Sequence, residues 1–194
     1  MSIRTIAIAG LVTAGLAAPA VSAEVPNSSF SYGEWSGAAY TDDSTGKFFY
    51  CNISRKYENN EILEFAVYYT GSFSFYLTNP AVPRRQGDTF NVTMMTPNGY
   101  PITARFDALN NNFLEAIFSD TLNVVAWLTD ATSFRVLGIE DDRAYELGQI
   151  NGALVHLLGC AAERIPKFYD EPQPSASSPA PTGSSGRLPP PRKP

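Results

Sequence analysis

Two residues near the end of the chain have the types and the spacing needed for chemistry. His156 is the only histidine, and it precedes Cys160, one of only two cysteines, by four residues. Residues four apart share one face of a helix, so the pair could form a thiolate–imidazolium nucleophile or supply two ligands to a metal. Alternatively, Cys160 forms a disulfide with the other cysteine, Cys51.

The disulfide is the interpretation that the remaining residues favour. A thiol in an exported protein with one available partner is normally oxidised, and a disulfide sulfur is no nucleophile. Zinc takes four ligands, and no second His or Cys pair is available. We therefore predict a Cys51–Cys160 bridge, an exposed His156, no catalytic residue and no metal or other cofactor. The chain-entropy model gives a bridge of this span roughly 4–5 kcal/mol.

The segment that carries both residues has the pattern of an amphipathic helix. Its apolar residues recur at helical spacing and form one stripe: Ile150, Ala153, Leu154, Leu157, Leu158 and Ala161. Cys160 lies at the edge of this stripe and His156 lies outside it. The helix should end at Pro166, and its cysteine is placed to reach a neighbouring strand.

Alternation of apolar and polar residues from Trp35 to Phe118 predicts β-strands. Short turn sequences separate the strands, and Asn98-Gly99 is the strongest hairpin signal because both residues tolerate positive φ. Consecutive strands should therefore pair as an antiparallel meander. The residues predicted to face inward are Phe49, Cys51, Ile53, Leu63, Phe65, Val67, Tyr69, Phe73, Phe75, Leu77, Phe90, Val92, Met94, Ile102, Ala104 and Phe106.

The pattern changes after Phe118. Residues 119–132 suit a helix capped by Ser119 or Asp120, although the run "NVVAWL" would also suit a buried strand. We favour the helix, with Leu122, Val125 and Ala126 facing inward, followed by two short strands. The prediction is an α+β domain: mainly an antiparallel β-sheet with one or two helices packed on it, and a C-terminal helix disulfide-linked to an early strand.

Both ends of the chain differ in composition from this domain. Residues 1–23 have the positive start, apolar stretch and small-x-small ending of a signal peptide. Residues 166–194 hold nine of the fifteen prolines and are predicted to be a disordered tail. One globular domain over 24–165 remains, in a periplasmic or secreted protein whose mature form has no transmembrane segment.

Charge excludes one class of partner. Residues 24–165 contain nine Lys and Arg against 17 Asp and Glu, a net charge of −8. Such a body repels nucleic acid, so we expect no nucleic-acid partner.

Other catalytic arrangements find little support. There is no G-x-S-x-G motif for a serine hydrolase, and no glycine loop for phosphates. The acidic pairs Asp42-Asp43 and Asp141-Asp142 are adjacent residues in predicted turns, so their side chains should diverge. Residues 140–142 lack the spaced oxygen ligands of a calcium loop.

Two features suit a binding surface. Tyr50, Tyr68 and Tyr76 fall opposite the inward rows of their strands, where aromatic rings could bind a protein or stack on a carbohydrate. A helix covering that face would instead make them second-layer core. Arg84 and Arg85 form the basic part of the longest loop, 79–88, which is either a contact loop or a solvated connection.

Trp35 near the mature N-terminus and the ending "LGQINGALVHLLGC" (147–160) resemble small exported alphaproteobacterial proteins grouped around the invasion-associated locus B family. The ending looks like that family's final strand followed by a Gly-x-x-x-Ala-Leu-type helix. The resemblance implies a periplasmic or surface protein linked to host-cell interaction, with no catalytic residues to carry over.

We therefore expect an exported, non-enzymatic binding or interaction protein of the bacterial envelope, with a protein or carbohydrate partner at the envelope or the host surface. The alternatives are a small periplasmic hydrolase or thiol enzyme using His156, and a protease inhibitor acting through the 79–88 loop.

Overall fold

A computed structural model describes residues 22–78, 84–139, 142–166 and 168, and this part of the chain forms eleven strands and two helices. The strands are β1 (Ala23–Glu24), β2 (Phe30–Tyr32), β3 (Trp35–Thr41), β4 (Phe48–Lys56), β5 (Ile62–Tyr68), β6 (Phe73–Thr78), β7 (Thr89–Met95), β8 (Ile102–Ala108), β9 (Phe113–Phe118), β10 (Ser133–Leu137) and β11 (Arg143–Glu146). The helices are α1 (Thr121–Leu128) and α2 (Ile150–Arg164). Nearly all of the predicted signal peptide and tail lies outside the described residues.

The strands form one antiparallel sheet in the order β1-β3-β4-β5-β6-β9-β8-β7-β10-β11, with β2 paired to β3. The predicted fold class is confirmed. Neighbours in the sheet follow the chain from β3 to β6, but β9 rather than β7 pairs with β6. Small Ala116 lies opposite Phe75 in this pairing, which gives the ring room on the inner face.

One face of the sheet holds the apolar core. The predicted inward rows of β5 and β6 face each other in register, with Phe65 opposite Phe75. The ring of Phe65 also lies 5.5 Å from that of Trp35, and the Phe75 ring lies 4.8 Å from that of Phe134 on β10. Because these rings are fully buried, their removal from water supplies much of the driving force for folding.

The sheet interrupts its alternation at the start of β4. Thr41 pairs with Phe48 while Tyr40 pairs with Tyr50, so the register shifts and Phe49 is an extra residue. Phe48 packs against the core instead, and Phe49 contacts the outward rings of Tyr50 and Tyr68. The prediction that Phe49 faces inward was wrong, because a bulge reverses the faces on one side of it. Tyr69, also predicted inward, is 57% exposed.

The segment after β9 is the helix that we favoured. The Asp120 side chain accepts the backbone N–H of Asn123 and caps α1. Its buried residues are Thr121, Val124, Val125, Trp127 and Leu128. Of the three residues predicted to face inward, Val125 is buried as predicted, whereas Leu122 and Ala126 are exposed. The indole of Trp127 is the largest apolar group on α1, so its burial rotates the helix away from the predicted orientation.

Helix α2 packs on β3, β4 and β5 with the predicted stripe facing the core. The disulfide joins Cys160 on this helix to Cys51 on β4, whose side chain is fully buried, with 6.2 Å between their Cα atoms. The bridge spans 109 residues, so it ties the end of the domain to its beginning.

Side chains from the start of the sheet hold its far end. The indole Nε1 of Trp35 donates to the carbonyl of Leu147, 2.8 Å away, just after β11. Arg55 Nη1 and Tyr57 Oη both donate to the carbonyl of Glu146. These bonds give the carbonyls at the end of β11 side-chain donors and connect them to β3 and β4.

Two further observations concern the ends of the domain. Phe168 is buried against the core, three residues beyond the predicted boundary at residue 165. Ala23, the last residue of the predicted signal peptide, pairs with Thr41 in β1. Within the described residues, neither helix has the length and apolar character needed to cross a membrane.

Candidate functional site

The aromatic residues on the outer side of the sheet form one continuous cluster, which we call the tyrosine face: Tyr40, Phe49, Tyr50, Tyr68, Tyr69 and Tyr76. Strand pairing aligns its members, because Tyr40 is opposite Tyr50 and Tyr50 is opposite Tyr68. The rings of Tyr40 and Tyr50 stack at 4.8 Å. Both described helices contribute their buried apolar residues to the core, on the other side of the sheet.

Phe49 closes one end of this cluster. Its ring meets those of Tyr50 and Tyr68 edge to face, with centroids 5.5 and 5.2 Å away. Tyr69 lies 6.2 Å from the same ring, and its backbone N–H donates to the carbonyl of Phe49. The bulge thus gives the outer face an additional aromatic ring.

Hydrogen bonds fix the orientation of the tyrosines. The Tyr68 and Tyr76 hydroxyls are bonded to each other, and Tyr68 Oη also donates to Glu115 Oε1 at 3.1 Å. Ser74 Oγ donates to the same carboxylate oxygen at 2.9 Å. Burial raises the pKa of Tyr50, Tyr68 and Tyr76 above the ordinary value, so all three stay neutral well above physiological pH.

A second carboxylate lies on the same face. Asn52 Nδ2 donates to Glu64 Oε1 at 3.0 Å, and the side-chain Oδ1 of Asn52 accepts the backbone N–H of Ala38. Burial raises the pKa of Glu64. Tyr76 lies between Glu64 and Glu115 in the strand register, so the Cα atoms of the two glutamates are about 10 Å apart, two strand spacings.

The structure places the predicted tyrosines on the outer face together, and it adds residues that sequence reasoning missed. Glu64, Glu115, Asn52 and Ser74 were not selected, although alternation alone puts each of them opposite the inward rows. A glutamate in the outward row of a strand marks each of the two as an outer-face residue, but alternation does not reveal that both flank Tyr76.

The two arginines of the 79–88 loop differ in exposure. Arg84 is only 8% exposed, and its guanidinium lies 5.7 Å from the Phe90 ring centroid. Arg85 is exposed, and its backbone N–H donates to Asp88 Oδ2. Of the two predicted contact residues, only Arg85 therefore presents its side chain to solvent. Residues 79–83 of the predicted contact loop lie outside the described part of the chain.

His156 and Cys160 have separate environments. His156 is exposed as predicted, and its ring stacks on Phe30 at 4.9 Å with Tyr32 beside it. Cys160 is occupied by the disulfide. No group of three or more His, Cys, Asp or Glu side chains is arranged to hold a metal within the described ranges, and residues 140 and 141 of the acidic turn lie outside them.

Comparison with known proteins gives a weak likeness among the solved structures. No family model matches this chain, and no curated protein matches it by sequence. Among solved structures it is similar to invasion associated protein B from Bartonella henselae, with 18% identity, a TM-score of 0.49 and coverage of 70% of this chain and 97% of the other. The name agrees with the resemblance seen in the sequence.

Proposed function

We propose that this protein is an exported, non-enzymatic binding domain of the bacterial envelope, and that it contacts a partner protein through the tyrosine face. One observation carries the proposal. The outer face of the sheet holds six neighbouring aromatic side chains, half-buried or exposed, on the side away from the core that both described helices cover.

The chemistry of this face suits protein recognition. Tyrosine offers a large contact area, a polar hydroxyl and only two side-chain torsions, so ordering it on binding costs little entropy. The bonds of Tyr68 and Tyr76 to each other and to Glu115 already restrict these torsions. A surface ordered in advance loses less free energy on binding than a mobile one. The exposed Tyr69 is its most accessible ring.

The same geometry argues against acid–base catalysis on this face. Tyr76 occupies the register position between Glu64 and Glu115, where a substrate would have to lie for both carboxylates to reach it. The thiol alternative loses its nucleophile, because Cys160 is bonded to Cys51. His156 contacts aromatic rings rather than a hydroxyl or thiol.

Two arguments support the location. The disulfide fits a non-cytoplasmic compartment, where such bonds form and persist. The signal peptide predicted over 1–23 and the family resemblance of residues 147–160 supply the remaining step, to a partner at the envelope or on a host cell.

The test uses the purified protein as bait for envelope and host-surface extracts. Phe49→Ala/Tyr69→Ala removes the accessible end of the tyrosine face, and Val155→Ala changes a side chain that is 70% exposed on α2. We expect a specific partner that wild type and Val155→Ala both retain, and that the double variant binds at least about tenfold more weakly by calorimetry. His156→Ala should bind as wild type does.

Retention by the double variant with wild-type affinity would contradict the tyrosine face as the contact surface. A His156→Ala variant that keeps its fold but fails to restore the phenotype of a deletion strain would instead favour the enzyme alternative.

A further inference from the structure

A pocket of about 370 Å³ lies between the β7–β8 connection and helix α1, on a different part of the molecule from the tyrosine face. Its volume lies within the range of small-molecule sites, about 300–1,000 Å³. The side chains that matter for its chemistry are Thr96, Asn98, Tyr100, Asn123, Trp127 and Thr129.

The lining of this pocket carries no charged residue among those that the structure describes there. This is unusual for a body with a net charge of −8, and a second cleft shows the contrast. That cleft, of about 440 Å³, is lined by several charged side chains, including Glu34, Arg55 and Glu61. An uncharged lining gives no electrostatic compensation to an ionic ligand that loses its water, so it favours a neutral ligand.

The uncharged groups have the composition needed for a polyhydroxylated ring. Asn98 supplies an exposed amide with both a donor and an acceptor, and Asn123 supplies a second amide. Thr129 Oγ1 already donates to the carbonyl of Val125, so it is left as an acceptor. Asn123 Nδ2 already donates to the Asp120 carboxylate, which leaves its carbonyl oxygen as an acceptor. Tyr100 is 67% exposed, and its ring offers a flat apolar surface to the C–H face of a sugar.

Contacts within the protein hold the walls of the pocket together. Trp127 Nε1 donates to the carbonyl of Tyr100 at 2.8 Å and fastens the β7–β8 connection to α1. Gly99 permits this approach, because a Cβ there would lie 2.6 Å from Trp127 Nε1 and closer still to Thr96 Oγ1. A preformed site avoids the free-energy cost of ordering its loops on binding.

We propose that this pocket binds a neutral saccharide, with the ring of Tyr100 stacked on one sugar face and the amides of Asn98 and Asn123 bonded to sugar hydroxyls. The site is separate from the tyrosine face and requires no protein partner there. The proposed protein contact and this glycan site therefore stand or fall independently.

The test titrates the full chain with maltose, cellobiose, lactose and N,N′-diacetylchitobiose. Tryptophan fluorescence reports on the site, because Trp127 lines the pocket while Trp35, the other tryptophan, is buried in the core. We expect at least one of the four to bind with a Kd of about 1 mM or tighter. Glucose 6-phosphate should bind more weakly than glucose, because its charge has no counter-charge in the lining.

Tyr100→Ala should weaken binding of that disaccharide about tenfold or more, and Asn98→Ala should weaken it several-fold. Tyr69→Ala, an exposed tyrosine on the tyrosine face, is the matched control and should bind as wild type does. Both positions are exposed, so a thermal melt should show that each variant folds. The proposal is overturned if none of the four disaccharides binds with a Kd of about 1 mM or tighter. It is equally overturned if Tyr100→Ala binds like wild type, or if Tyr69→Ala loses binding to the same extent.

Discussion

Aromatic rings are held differently on the two faces of strands β4 to β6. On the inner face, Phe65 and Phe75 are buried among other apolar groups and need no directional bond. On the outer face, Tyr68 and Tyr76 are half-buried, and their hydroxyls are bonded to each other and to a carboxylate.

The difference teaches what each face can be used for. Apolar burial is non-directional and stabilises the fold roughly in proportion to the area buried. The inner face therefore contributes most to the free energy of unfolding. A hydrogen-bonded network contributes less net free energy, but it orients its members. The outer face is therefore ordered without being fully covered, which is the condition a contact surface requires.

The inner face should show the largest effect on stability. Phe65→Ala removes a ring that contacts Trp35, Phe73 and Phe75, and leaves a cavity in the core. We expect the free energy of unfolding to fall by about 3–5 kcal/mol, measured by denaturant titration. Tyr69→Ala, one residue beyond β5 and exposed, should change it by less than about 0.5 kcal/mol. Equal losses in the two variants would remove the distinction between the faces.

Removing the disulfide between β4 and α2 should have the next largest effect on stability. Cys51→Ala/Cys160→Ala frees a loop of 109 residues in the unfolded chain, and we expect a loss of about 2–5 kcal/mol. Wild type equilibrated with reductant in denaturant should show a similar loss, and reductant should leave the variant unchanged. Wild-type stability that does not respond to full reduction would contradict this role of the bridge.

A hydroxyl on the outer face should contribute less. Tyr76→Phe keeps the ring and removes one bond of the network, so the free energy of unfolding should fall by about 1 kcal/mol. Tyr69→Phe removes an exposed hydroxyl and serves as the control, with no change expected. A loss in Tyr76→Phe as large as that of Phe65→Ala would mean that the outer face also stores stability.

The smallest effect on stability should come from Glu64, and it should depend on pH. Burial raises the pKa of Glu64 in the folded state, so its contribution to stability is full below its ordinary pKa of 4.5 and is lost as pH rises through the raised pKa. Glu64→Gln keeps the acceptor for Asn52 without the titration. We expect the variant to gain stability relative to wild type as pH rises to neutral, measured by denaturant titrations across that range.

Glu163→Gln is the control for this measurement, because the Glu163 side chain is 75% exposed. Parallel pH profiles for wild type and Glu64→Gln would show that the buried carboxylate is not the source of the dependence.

The glycine of the β7–β8 connection shows how a correct prediction can rest on the wrong reason. Asn98-Gly99 predicted a hairpin through positive φ, and β7 and β8 do form one. Neither residue has positive φ in the structure. Gly99 serves the close approach of the backbone to Trp127, a contact with a helix more than twenty residues away. Only the folded chain contains the reason for that glycine.

The sequence by itself determined the features that depend on local pattern. Alternation assigned Phe65, Val67 and Leu77 to one side of the sheet, because successive side chains in a strand point to opposite faces. Helical spacing gave the stripe of α2, and two cysteines allow only one intramolecular pairing. The tyrosines were placed on the outer face by the same alternation.

Tertiary structure decided which of these local units meet. Alternation says which side a residue faces but not which strand lies beside it, so the pairing of β6 with β9 and the line from Glu64 through Tyr76 to Glu115 could not be foreseen. The bulge at Phe49 and the rotation of α1 toward Trp127 follow from packing against distant residues. Such non-local choices depend on shape and volume in the assembled core, which no short stretch of sequence encodes.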